Sequence, residues 1–167
     1  ELFRTVITAF PDSYEAQANL GYSQLMEYLD QLEPADMASF GLGQVVAGAF
    51  TRRPLSMEPE VRGVNSALWF QATAALQSAL RINPEMSEAH ANLGIAYLMQ
   101  PGGGGAASAV ASLSQAADLA RWDYTLNERA KAAILINLSA AQNAEGTYSA
   151  AYDNVIAAQT ELSKLDG

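Results

Sequence analysis

At 167 residues the chain has the size of one ordinary domain and can bury a core without disulfide or metal staples. Half of it is apolar, but much of that half is alanine, a small residue and the best helix former, where a sheet protein would draw on β-branched and aromatic residues. Eighteen acidic against nine basic residues give a formal charge of −9, which repels a phosphate backbone and argues against nucleic acid as a partner, while the lack of cysteine excludes disulfides, thiol catalysis and thiolate metal sites.

In chain order, the first long apolar pattern follows Pro11, where Leu20, Tyr22, Leu25, Met26 and Leu29 recur at helical spacing. The stretch 34–59 breaks that periodicity. It is dotted with glycine and carries Met37, Phe40, Leu42, Val45, Val46, Phe50 and Leu55 beside Arg52 and Arg53, with a short helix expected near Pro34 to Phe40. So apolar a segment should pack across the rest of the domain, or else cover a partner surface. Helical periodicity resumes from about Glu60 and runs to Ile82. It returns at Leu93, Tyr97 and Leu98, then at Ile134, Leu135 and Leu138, and last at Val155, Ile156 and Leu162. Strand-like alternation is nowhere sustained. No apolar run reaches the roughly 20 residues of a membrane span, so direct membrane insertion is not expected.

One phrase recurs along this series. "PDSYEAQANLGYS" and "PEMSEAHANLGIAYL" both place Glu-Ala and then Ala-Asn-Leu-Gly in one register after a proline, and "ILINLSAAQ" gives a third copy with Ser139 in place of glycine. In this the chain resembles the tetratricopeptide repeat (TPR), a unit of about 34 residues made of two helices, A and B, joined by a turn. Leu20, Leu93 and Leu138 stand at the family's leucine, followed by Gly21, Gly94 and Ser139, the small residue at the crossing of A and B. The second helix of each unit is matched by Ala72, Leu76 and Ala79, by Ala109, Leu113 and Ala116, and by Ala151, Val155 and Ala158. Pro11 stands at the family's closing proline, with Phe3 and Val6 before it.

The resemblance implies an all-α fold, a right-handed helix-turn-helix superhelix of about three units, the first interrupted. It divides the chain into 1–10, the end of a preceding helix; 11–33 with 60–84, the first unit; 34–59, the insertion; 85–121, the second unit; and 127–165, the third. Residues 1–10 and the final "ELSKLDG" differ in character under this reading, the first as a helix cut from a longer protein and the second as a polar cap.

The family binds peptides along the wall formed by its A helices, and its register puts Glu15, Ala18, Asn19, Tyr22 and Leu25 on that wall from the first unit. The second supplies Glu88, Ala91, Asn92, Ile95 and Leu98, and the third Ala133, Ile136, Asn137, Ala140 and Asn143. The implied peptide-binding set is therefore Glu15, Asn19, Tyr22, Leu25, Glu88, Asn92, Ile95, Leu98 and Asn137. Asparagine recurs at the position whose side chain, in the family, holds the backbone of a bound peptide. The basic residues with which chaperone-binding members clamp a terminal carboxylate are absent from these positions. The expected wall is mildly acidic with apolar spots.

Nothing in the sequence points to catalysis. His90 is the single histidine and cannot complete a metal site alone, so it is expected to pack. "PGGGG" lacks the lysine and the preceding strand of a phosphate loop and is expected to be a flexible turn that absorbs extra residues between two helices. No cofactor or metal is implied. The leading expectation is a non-catalytic scaffold for a protein or peptide ligand. The alternative is a docking appendage of an upstream enzyme, such as a bacterial envelope zinc metallopeptidase, and self-association of alanine-rich faces is a third. Compartment stays open between the cytosol and the bacterial envelope.

Overall fold

The computed structural model describes residues 2–32 and 66–165. Among them the structure is wholly helical, with α1 (Leu2–Ala9), α2 (Tyr14–Leu29), α3 (Ser66–Ile82), α4 (Ser87–Leu98), α5 (Ala106–Ala120), α6 (Glu128–Glu145) and α7 (Tyr148–Ser163). The expected insertion 34–59, its short helix and the start of a helix at Glu60 lie outside the described residues.

Local chemistry sets several of these boundaries. Ser13 caps α2, its Oγ accepting from the Ala16 N–H at 3.3 Å, and Asn127 caps α6, its Oδ1 accepting from the Ala130 N–H at 2.9 Å. Gly146 ends α6 with φ of 91°, a left-handed conformation that a side chain would strain. In the α4–α5 turn, Gly102, Gly103 and Gly104 all take φ near +80°, and a Cβ on Gly105 would collide with the Tyr97 carbonyl. The glycine run therefore answers a conformational need at each position and follows a helix rather than a strand.

Packing follows chain order. α2 lies along α3, α4 along α5 and α6 along α7; α3 meets α4 and α5 meets α6, and α2, α4 and α6 touch one another in sequence. One core cluster runs through these contacts, from Leu25, Tyr28 and Leu29 of α2 by way of Ile95 and Leu98 of α4 and Leu113 of α5 to Ile134 and Leu138 of α6. Small residues set the helix separations. A Cβ on Gly21 would stand 2.7 Å from Leu76 Cγ and 3.0 Å from the Ala72 carbonyl oxygen, and one on Gly94 would stand 2.5 Å from Leu113 Cγ. Ser139 holds the same place in α6 and is buried.

The leucines that precede these small residues are not equivalent. Leu93 and Leu138 are buried, whereas Leu20 is half-buried, and α1, which meets α2, has no buried residue among its eight. Two buried side chains serve the end of α4: the Trp69 indole donates to the Ala96 carbonyl at 2.6 Å and the Tyr28 hydroxyl to the Met99 carbonyl at 2.7 Å. Carbonyls at a helix C-terminus have no partner within the helix, so these donors satisfy groups that burial would otherwise penalise.

The polar cap expected at "ELSKLDG" extends past the described residues, and ahead of it α7 presents an apolar side. Its outward side exposes Tyr148, Tyr152, Val155, Ile156 and Leu162. In α3 and α5 the matching face is covered by the next helix, and no described helix follows α7 to do the same.

Candidate functional site

The N-terminal halves of α2, α4 and α6 come together around a cleft of about 420 Å³. α2 contributes Glu15, Ala18, Asn19 and Tyr22; α4, with the residue before it, contributes Met86, Glu88, Ala89, Ala91 and Asn92; α6 and its lead-in contribute Leu126, Ala130 and Ile134. The floor is apolar and built largely of alanine, which lets the three helices stand close. Over it stand two carboxylates, two primary amides and one phenol.

Capping and turn bonds hold these side chains in place. The Ser13 and Asn127 caps fix the first turns of α2 and α6, the latter delivering Ala130 to the wall. At the head of α4 the half-buried His90 imidazole places Nε2 2.9 Å from the Pro84 carbonyl and ties the helix to its own lead-in turn. Asp123, in the turn before α6, accepts from the Thr125 N–H at 2.9 Å and the Thr125 hydroxyl at 2.6 Å, and the Ser87 hydroxyl stands 3.4 Å from its other oxygen. The turn ahead of Leu126 is thus fastened to the first residue of α4. These hydrogen bonds, Thr125 foremost, hold the Asp123 carboxyl below its ordinary range against a smaller opposing effect of desolvation.

The local field is negative. The Tyr14 hydroxyl is pushed above its ordinary pKa, chiefly by its hydrogen bond to Glu15 and then by the charge of that carboxylate. Neither the Asn19 nor the Asn92 side-chain amide has a hydrogen-bond partner among the described residues, so each keeps two donors and one acceptor for a ligand.

Of the residues expected on the binding wall, the structure brings Glu15, Asn19, Tyr22, Glu88 and Asn92 to this one cleft. It places Leu25, Ile95, Leu98 and Asn137 elsewhere: all four are buried, the three apolar ones in the core cluster, where a ligand in the cleft does not reach them. Asn137, in the register of Asn19 and Asn92, is 1 % exposed and its Nδ2 has no partner. Met86, Ala89, Leu126, Ala130 and Ile134 complete the cleft and were not expected there. The wall positions taken from the register begin in α6 at Ala133, whereas the helix starts more than a turn earlier behind its Asn127 cap. That asparagine, followed by Glu128, is the sequence signal for the earlier start.

A second hollow, of about 500 Å³, is formed wholly by the α1–α2 turn and the start of α2, from Ala9 to Glu15. A hollow with one turn for its walls cannot enclose a ligand, and it meets the cleft only through Glu15. No group of histidine, cysteine, aspartate and glutamate side chains among the described residues is arranged to hold a metal ion, and no described helix is long and apolar enough to cross a membrane. Compared with known proteins, the chain matches no family model, no curated protein and no solved structure.

Proposed function

We propose that the chain is a TPR-type stack of about three helix pairs that serves as a non-catalytic scaffold, holding an extended peptide segment in the cleft between α2, α4 and α6. On this reading α2, α4 and α6 are the A helices and line the inner wall of a right-handed superhelix, and α3, α5 and α7 are the B helices. The order of helix contacts and the recurrence of Ala-x-x-x-apolar-x-x-Ala in α3, α5 and α7 support the architecture.

The free amides of Asn19 and Asn92 carry the functional reading. A peptide backbone offers one donor and one acceptor per residue, and an asparagine amide can answer both. Two such groups in matching places on neighbouring helices suit a chain running across the cleft, with apolar side chains directed at Tyr22, Ala91 and Ile134.

The test is selection of linear peptides displayed on phage, followed by titration calorimetry with the enriched sequences. Replacing both asparagines by alanine should weaken binding roughly tenfold, as expected for two hydrogen bonds, while the circular dichroism spectrum stays unchanged. Equal affinity for the double variant, or no enriched peptide, would remove the reading.

A further inference from the structure

We infer that the segment taken by the cleft is basic, with a lysine or arginine beside an apolar anchor. This rests on the peptide-binding reading and adds the charge of the partner to it. The charged side chains on the described wall of the cleft are Glu15 and Glu88, both exposed and both in the first turn of their helices. A helix N-terminus carries about half a positive charge, so a full carboxylate there over-compensates it and leaves the mouth of the cleft negative.

The nearest basic residues do not cancel this. Arg129 and Lys131 flank Ala130 on α6, each turned by about 100° from it, and neither is among the residues that line the cleft. Asp123 adds a further negative charge in the turn before α6, and its depressed pKa keeps it ionised. The Glu15 charge also contributes to the raised pKa of Tyr14, behind the hydrogen bond to the same carboxylate. The formal charge of the whole chain, −9, steers in the same direction.

An acidic segment would meet Glu15 and Glu88 with like charge, whereas a basic one can lay its apolar stem on the alanine floor and keep its charged end at the rim. The geometry therefore favours a short segment in which one apolar residue is seated near Ile134 and a neighbouring cation is shared between the two glutamates.

The experiment compares two linear peptide libraries, acetylated and amidated so that their termini carry no charge. Both randomise the same apolar positions, and the remaining positions are fixed as lysine in one and glutamate in the other. Fluorescence anisotropy against the whole chain should show the lysine library binding roughly tenfold tighter at low salt, with the advantage shrinking as salt is added. In the isosteric double variant Glu15→Gln/Glu88→Gln the preference should collapse towards unity.

Equal binding of the two libraries to the unaltered protein, or a lysine preference that survives in the variant, overturns the inference and leaves the peptide-binding reading standing. Failure of both libraries to bind overturns the two together. Should the variant fold poorly, the comparison of libraries on the unaltered protein decides alone.

Discussion

The α4–α5 pair and the α6–α7 pair share one register, yet three corresponding positions live in different surroundings. Gly94 sits against Leu113, which is fully buried, whereas in α6 the small residue is Ser139 and the residue in the register of Leu113 is Val155, 46 % exposed. Asn92 faces the cleft with its amide free, while Asn137 is sealed in with one donor unanswered. Glycine with leucine in one pair and serine with valine in the other hold similar combined bulk. What differs is cover. α5 has α6 laid over it, and α7 has no described helix to follow it. Register fixes which residue occupies a position, and the neighbouring helix decides whether that position is core, cleft or surface.

The largest effect should come from truncating the two register-mates. Leu113→Ala should destabilise by about 2–5 kcal/mol, because it leaves a cavity against Gly94, while Val155→Ala should stay within about 0.5 kcal/mol, as exposed substitutions do. Urea midpoints read both, and similar losses would break the contrast. Next, Gly94→Ala should cost roughly 1–3 kcal/mol by forcing Leu113 aside. Combining it with Leu113→Val, which restores the combined bulk of the pair, should be less damaging than the sum of the single changes, with a coupling of at least about 0.5 kcal/mol. A strictly additive double variant would show that the two residues do not compensate.

A smaller change is expected at the asparagines. Asn137→Leu removes a buried unsatisfied donor while keeping the γ-branched shape and should raise the thermal midpoint, whereas Asn92→Leu should leave it nearly unchanged and act on ligand binding instead. The smallest effect belongs to the seam between the pairs. The folded pKa of Asp123 is depressed, so its contribution to stability is present above its ordinary value of 3.8 and is lost as pH falls through the lower folded value. Asp123→Asn should therefore lower the urea midpoint slightly near neutral pH, and the gap from the unaltered protein should close in acid. A gap that persists in acid would assign the loss to geometry rather than charge.

Much of this organisation was legible in the sequence. The all-α class follows from alanine content and helical periodicity, and the closeness of α4 to α5 follows from Gly94 standing opposite Leu113. The cleft was legible in part. Glu15, Asn19, Tyr22, Glu88 and Asn92 could be placed by register, since each lies in the N-terminal half of a helix that faces its counterparts. Leu25, Ile95 and Leu98 share that register but lie further along their helices, where the positions belong to the core cluster. A one-dimensional register does not encode how far apart neighbouring helices stand along their length. Leu126 and Ala130 precede Ala133, the first wall position that the register gives in α6, and only the capping pattern at Asn127 points to them. The polar letters of the last turn of α7 give no sign that Tyr148, Tyr152 and Ile156, earlier in the helix, face outward.

The indole of Trp69, bonded to the Ala96 carbonyl, gives the molecule an optical marker. Trp69 is buried between α3 and the end of α4, while Trp122, in the turn before α6, is 74 % exposed. Emission from the folded protein therefore sums a blue, shielded component and a red, solvent-facing one. A Trp122→Phe chain would retain only the first, and its shift to the red would time the parting of α4 from α3 during unfolding. Conversely, a Trp69→Phe chain would glow from the turn beside the cleft, where the arrival of a ligand could be followed without attaching a dye.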